Sequence, residues 1–377
     1  MDDNIGHLPD DLLLRILSLN KTKLVMATSL LSKRWRSLWS LVPGLKYVDD
    51  TNRDADYQRF MQFVDRSFLS NKVPVLEHLH PNLGHACPFV EIGLWIKLAL
   101  SRHVRELHIH IRSSKKGSLT LPSSLYTSET LHSLTLIKCV SLDVPVHVRL
   151  PSLKTLSLKT SFKDSPMDVT VVLPSLQRLH MSHNKTRGTY VLNVPSLKYL
   201  KCSGMASSNL LQIKNMPELV TAHFNGKFLK ALTSVRRLKL WITPPQVMNP
   251  SGMIFNQLVH LDLCLFREGW WDLLICILQG SPKLRFLKLI NKLDWGDIFS
   301  NSGRKIPTGW KPPSSVPECL LHSLEAFEWF GYRGRHGDKE MAAYIDSVSV
   351  TKSFGPESLP RLTRSRDEII GSQGTKI

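Results

Sequence analysis

The sequence predicts an α/β chain: a small helical module followed by an irregular, horseshoe-shaped solenoid of short strands. Three observations predict it. A six-residue pattern, apolar-x-x-apolar-x-apolar, recurs from Val104 onward. The segment in front of it has helical spacing and is apolar nearly all round. The segment behind it is rich in aromatic residues, glycine and proline, and carries one more copy of the pattern.

The pattern begins at Val104, Leu131, Leu153, Leu176, Val235, Leu258 and Leu284 with aliphatic residues or Met at all three anchors. Weaker copies begin at Leu197, where Cys202 is the last anchor, and at Leu219, with Ala222 and Phe224. A further copy begins at Leu324 with Phe327 and Trp329. Most steps between copies fall in or near the 20–29 residue window of leucine-rich repeats. Each repeat then supplies one strand and a return segment, and neighbours stack because no strand can bury its apolar side alone. Side chains alternate along a strand. Leu156 and Leu158 therefore point inward, while Thr155, Ser157 and Lys159 point out. An ordinary β-sandwich is the competing architecture. The recurrence of the motif itself, with Pro-Ser-Leu before the strand at Pro151, Pro174 and Pro195, argues against it. The shortest and longest steps, 16 and 40 residues, predict a distorted horseshoe with an insertion near Asp294–Pro317.

In the helical module, Pro9 suits a first helical turn, and Asp10 and Asp11 suit the positive end of the helix dipole. Leu12, Leu13, Leu14, Ile16, Leu17 and Leu19 follow, which is more than one stripe. A second segment spaces Ala27, Leu30, Leu31, Trp35, Leu38 and Trp39 by three and four residues, with Lys33, Arg34 and Arg36 between them. About 40 residues make a weak core on their own, so this excess of apolar surface predicts docking on another protein or on the end of the solenoid.

The chain has 377 residues, enough for two or three domains, and a formal net charge of +18. Residues 101–240 hold 21 Lys and Arg against 6 Asp and Glu, a field that favours acidic or phosphorylated partners. No apolar run approaches the roughly 20 residues of a bilayer span, and the acidic start is not a secretory signal. Six scattered cysteines without a C-x-x-C pair read as reduced, buried thiols. The G-x-x-G-x-x-G at Gly331, Gly334 and Gly337 reads as turn glycines, not a phosphate cradle. His78 with His80, and His108 with His110, share strand faces, but further ligands with suitable spacing are missing. They read as surface histidines, and no metal site or cofactor is expected. No catalytic arrangement stands out, so the chain is not expected to be an enzyme.

The run LPDDLLLRILSLNKTKLVMATSLLSKRWRSLW closely resembles the plant F-box, opening at Leu8-Pro9 and closing on Ser32–Trp39. It departs at Asn20-Lys21-Thr22, where relatives usually carry Leu-Pro-Thr, and at Leu24, where they usually carry an acidic residue. Residues Trp310–Ile345 resemble the FBD domain, through Trp310, Pro313, Pro317, Cys319, Leu324, Phe327, Trp329, Gly331, Tyr332, Glu340 and Tyr344. The order matches the F-box/FBD/leucine-rich-repeat family of plants. The expected boundaries are a three-helix F-box at 5–45, a helical linker or cap at 46–100, leucine-rich repeats at 101–300 and a partial FBD at 301–345. Residues 346–377, polar and poor in aromatics, are expected to form a truncated FBD's disordered tail.

This resemblance implies a substrate-recognition subunit of an SCF-type ubiquitin ligase, working in the cytoplasm and/or nucleus. Leu8, Pro9, Leu12, Leu13, Ile16, Leu17, Leu31, Trp35 and Leu38 would hold a Skp-type adaptor, itself bound to a cullin, or form the F-box core; sequence leaves these two roles undivided. Stacking outward positions of successive repeats gives a candidate substrate stripe: Lys159, Arg178, His180, Tyr199, Lys201, His223, Arg237, Lys239 and Trp241. Cations interleaved with aromatic anchors suit an acidic or phosphorylated protein segment. The competing reading is a binding protein without ligase function, either a degraded F-box relative or a basic solenoid contacting acidic partners or nucleic acid. Nucleic acid is the less favoured partner, and no membrane contact is expected.

Overall fold

The computed structural model describes residues 5, 8–49, 54–84, 88–111, 121–137, 147–159, 169–182, 189–203, 210–214, 216–225, 232–242, 252–265, 270–291, 310–332, 334 and 336–349. The chain divides into two compact units, Met1–Glu218 and Leu219–Ile377.

The first unit opens with three short helices, α1 (Asp10–Ser18), α2 (Thr22–Ala27) and α3 (Lys33–Leu38), with 3-10 turns at Thr28–Leu30 and Trp39–Leu41. Seven parallel strands follow in one sheet, interleaved with other elements: β1 (Gly44–Val48), β2 (His78–Leu83), β3 (Glu106–Ile111), β4 (Ser133–Ile137), β6 (Thr155–Lys159), β8 (Arg178–Ser182) and β10 (Tyr199–Ser203). The second unit holds five more, also parallel: β12 (Thr221–Asn225), β13 (Arg237–Ile242), β14 (His260–Leu265), β15 (Phe286–Asn291) and β16 (Ala326–Phe330).

Every motif copy read from the sequence coincides with one of these strands, which begins two residues after the first anchor. The first anchors are all buried, from Val104 to Leu324. The third anchors Ile109, Leu136, Met181, Cys202, Leu240, Leu263, Leu289 and Trp329 are buried as well. Leu158, expected inside, is only half-buried. Leu153, Leu176 and Leu197 each donate a backbone hydrogen bond to the residue before proline, Leu150, Leu173 and Val194, at 3.1–3.3 Å. That closes a four-residue turn with proline at its second position, where a fixed φ is already correct. The turn explains why Pro-Ser-Leu recurs.

The sheet starts earlier than the motif count suggested. β1 straddles the expected end of the F-box at residue 45, and β2 lies in the segment expected to be a helical linker or cap. Val42-x-x-Leu45-x-Tyr47 and Leu76-x-x-Leu79-x-Pro81 are two further copies, buried at all three anchors. Tyr and Pro in third place hid them. Tyr47 keeps its phenol inside by sharing a 2.6 Å hydrogen bond with Ser67 Oγ. Pro81 lies in a strand whose pairing to β3 skips that residue, as its missing N–H requires.

The return segments differ along the chain. Between β1 and β3 they are helices, α4 (Asp54–Ser70) and α5 (Phe89–Ser101), tied together by Trp95 Nε1 donating to Asp65 Oδ1 at 3.1 Å. From β4 to the end of the first unit they are strands: β5 (His147–Arg149), β7 (Val169–Val172), β9 (Thr189–Asn193) and β11 (Leu210–Lys214) form a second parallel sheet in that order. Steps of 21 to 23 residues leave little room for a helix, and Val-Thr-Val-Val or Thr-Tyr-Val-Leu fits a pleated surface. Helices return in the second unit as α6 (Trp271–Gln279), α7 (Glu318–His322) and α8 (His336–Val348).

The insertion expected near Asp294–Pro317 lies outside the described residues up to position 309. α8 continues past the expected start of the tail, burying Ile345 and Ser349; positions 350–377 lie outside the described residues.

Truncating a buried anchor should cost far more than truncating its outward neighbour. Leu179→Ala is expected to lose about 2–5 kcal/mol, and the exposed Arg178→Ala to stay within about 0.5 kcal/mol, measured by urea denaturation.

Candidate functional site

The helical module settles which apolar residues hold it together. Leu13, Leu17, Val25, Trp35, Leu38 and Val42 form one buried cluster, with Leu8, Leu14 and Trp39 packed against it. Leu13 and Leu17 stand four apart on α1 and share one face. Leu12, Ile16 and Leu19 occupy the adjacent stripe. These last three are 43%, 46% and 76% exposed, and Leu31 is 69% exposed. Of the nine residues assigned to adaptor or core, Leu13, Leu17, Trp35 and Leu38 therefore serve the core. Pro9, Leu12, Ile16 and Leu31 lie on the surface, and Leu8 is half-buried. Leu19, Leu24, Leu30 and Leu41 are also exposed and were not among the nine. Their signal was present in α1, where an apolar stripe remains after the buried one is removed.

Arg34 braces the start of α1. Its Nε donates to Asp10 Oδ1 at 2.9 Å and its second guanidinium nitrogen to the Leu8 carbonyl at 2.5 Å. The turn at Asn20-Lys21-Thr22 is hydrogen-bonded. Asn20 Nδ2 donates to the Ile16 carbonyl at 2.9 Å, and buried Thr22 Oγ1 accepts from the Lys46 N–H at 2.8 Å.

The basic stripe is divided between the units. In the first, Thr155, Arg178 and Tyr199 are paired in register, as are Ser157, His180 and Lys201. Arg178 and Lys159 are exposed, while His180, Tyr199 and Lys201 are half-buried. In the second, Thr221, Arg237 and His260 are in register, as are His223, Lys239 and Asp262, and Trp241 lies beside Cys264. Lys239 has an acidic neighbour: Asp262 lies 3.8 Å from its ammonium and accepts from His260 Nε2 at 2.8 Å. Burial pushes the Asp262 carboxyl up, but the hydrogen bond and charge of His260, with Lys239 and Lys288, hold it below the usual carboxylate range. The second-unit half is thus partly neutralised within itself.

The histidine pairs need a correction. Two residues of β2 and two of β3 are far apart in sequence, but strand pairing brings them together, so His80 and His108 gain Glu106 as a third potential ligand. His78, His80 and His108 are half-buried, not surface, histidines.

Gly331 and Gly334 adopt φ of +69° and +64°, left-handed conformations that glycine takes without penalty. They flank Tyr332 in a turn after β16. Trp329 stands edge-on to Trp270 at 5.8 Å and to Tyr332 at 5.1 Å, so the aromatics of this segment pack on one another. Cys202 and Cys319 are free and buried, and burial pushes each thiol up to about 12.

Residues 5–47 match the F-box domain family, and residues 311–345 match the FBD family. An F-box/FBD/LRR-repeat protein of Arabidopsis thaliana is 52% identical over 395 aligned residues, covering 94% of this chain and 93% of that protein. The chain belongs to the F-box/FBD/LRR-repeat family. A second such protein of the same plant is 39% identical, covering 99% of this chain and 90% of the relative. An FBD-associated F-box protein is 41% identical, covering 91% and 87%. No solved structure matches the chain. The F-box match runs from before α1 to Tyr47 and so takes in the first motif copy. The FBD match takes in α7, β16 and α8 as far as Ile345.

Asp262 makes a pH-dependent contribution whose sign follows from its lowered pKa. It stabilises the fold above the unfolded carboxylate value near 4 and loses that contribution as pH falls through the lower folded value. Asp262→Asn should therefore lower the thermal midpoint at pH 6–7, and the difference from wild type should shrink as the pH falls below 4, a convergence that melts across this range would show.

Proposed function

We propose that this F-box protein is the substrate-recognition subunit of an SCF-type ubiquitin ligase. The observation that carries the proposal is the exposed apolar row Leu12, Ile16, Leu19, Leu24, Leu30 and Leu31 on a module whose core is already complete without it. Water-exposed leucines gathered on a unit of about 40 residues mark a protein interface. F-box domains as a class dock on Skp-type adaptors, which connect them to a cullin. The three helices of the module would present this row, while Leu13, Leu17, Trp35 and Leu38 keep the helices in place. The hydrogen-bonded turn around Thr22 supports an intact F-box over a degraded one.

The remaining strands would form a horseshoe-like solenoid whose outward residues hold a target protein near the ubiquitin-conjugating enzyme. The chain supplies position and orientation, and the chemistry belongs to partner subunits. Arg178 and Lys201 on the first unit, with Arg237 on the second, suit carboxylates or phosphates; Tyr199 and Trp241 supply flat, stiff anchors. The free cysteines suit a reducing compartment, cytosol or nucleus.

Two measurements test the two ends of this reading. Leu12→Asp with Ile16→Asp should abolish co-purification of a Skp-type adaptor while the circular dichroism spectrum stays unchanged; retained adaptor would refute the docking face. Leu13→Ala should lose the adaptor together with helical signal, since it empties the core. For the target, Arg178→Glu, Lys201→Glu and Arg237→Glu combined should cut recovery of ubiquitinated proteins at least tenfold with adaptor binding intact. Undiminished recovery would move recognition elsewhere on the chain.

A further inference from the structure

Strands β2 and β3 concentrate a different chemistry. His78 and His80 alternate along β2, and Glu106 and His108 along β3. Parallel pairing sets His78 beside Glu106 and Leu79 beside Leu107, which brings His80 next to His108. The His80 and His108 rings stack with centroids 4.2 Å apart and planes 2° from parallel. The His78 ring centroid lies 5.0 Å from that of His80. His80 Nε2 is 4.0 Å from Glu106 Oε2. One ligand atom from each of His80, Glu106 and His108 lies within 4.8 Å of the other two.

One feature of this cluster points to a missing partner. The Nε2 atoms of His78 and His80 are buried without a hydrogen bond, although buried polar atoms in native proteins are nearly always paired. Gly44 of β1 lies beneath His78, where a Cβ would stand 1.8 Å from Nε2, so β1 packs close against that ring.

We propose that His80, Glu106 and His108 bind a first-row divalent transition metal, zinc foremost, through two imidazole nitrogens and one carboxylate oxygen. Two imidazoles with one carboxylate suit Zn, Cu, Ni or Fe and not the all-oxygen demand of Mg or Ca. For ligand bonds of about 2.0–2.2 Å, tetrahedral ligands stand about 3.3 Å apart, so the present spacing closes by rotation of three side chains on two fixed strands. Three protein ligands leave a position for water or for a group from a partner protein.

Burial dominates the electrostatics of the three rings. Burial, then the neighbouring His108, His78 and Lys46 charges, hold His80 down to about 3. Burial also lowers His108, against the pull of Glu106, and lowers His78 with help from Lys46. Lys46 is the cation facing the cluster, and its ammonium is engaged at the end of α1, donating to the Leu19 carbonyl at 3.3 Å. Ser133 Oγ, from β4, lies 3.3 Å from His108 Nε2. Metal-binding imidazoles commonly have such a second partner.

The test uses the full chain with a tag free of histidine, stripped by chelator. Calorimetric titration with zinc should give one ion per chain. His80→Gln and His108→Gln should each weaken binding at least about tenfold, and His336→Gln, at an exposed position of α8, should leave it unchanged. Thermal melts in chelator check that the variants fold, and zinc should raise the midpoint of the wild type alone. X-ray absorption at the zinc edge of the wild-type chain needs no variant and should show two imidazoles. The proposal is overturned if the wild type takes up no zinc, if uptake survives in the double variant, if uptake falls in His336→Gln instead, or if the absorption spectrum lacks imidazole scattering. Adaptor binding plays no part in these readings, so they stand or fall separately from the ubiquitin-ligase proposal.

Discussion

The fold depends on one repeated burial event: the first anchor of each motif copy enters the core two residues before its strand begins. From Val42 to Leu324 every one of these anchors is buried. Burying an aliphatic side chain contributes roughly 1.5–3 kcal/mol, and the parallel register places each anchor level with those of its neighbours. Because side chains alternate, fixing the anchors also fixes which residues are offered to the outside. Arg178, Tyr199 and Lys201 are outward because Leu179, Leu200 and Cys202 are inward. The candidate recognition surface follows from the core and needs no separate specification.

That dependence explains how much could be read beforehand. Ten strands were legible: seven because leucine, isoleucine, valine or methionine fills all three anchors, and three weaker copies because they keep the same spacing. β1 and β2 escaped because Tyr47 and Pro81 do not look like core residues until their surroundings are known. Tyr47 needed Ser67 to satisfy its hydroxyl, and Pro81 needed a pairing that skips its missing N–H. The return segments were illegible in type: a step length says how much chain is available, not whether it will coil or pleat. In the F-box, the apolar residues were visible but their two faces were not, since α1 carries adjacent stripes that a linear pattern does not separate. Burial divides Leu13 and Leu17 from Leu12 and Ile16.

The histidines teach a related lesson. Sequence spacing finds metal ligands on one helix or one tight loop. It cannot find a group assembled across two strands whose connection includes all of α5. The same holds for Asp262, whose effect on Lys239 depends on register. Function-bearing clusters in stacked-strand proteins are laid out across the chain direction, where a linear scan has little purchase.

Val42 belongs to two structures at once. It is part of the F-box cluster with Leu13 and Leu38, and it is the first anchor of the first strand. Its carbonyl accepts from Asn71 Nδ2 at 2.9 Å, and Thr22 and Leu19 grip Lys46 from the helical side. No slack tether separates the helices from the first sheet; they share a keystone. Under the proposed function, a target held on that sheet would keep a constant bearing toward whatever grips α1, so reach would be set by architecture and not by diffusion on a leash. A glycine-serine spacer spliced in at this junction would preserve both parts and lose the aim.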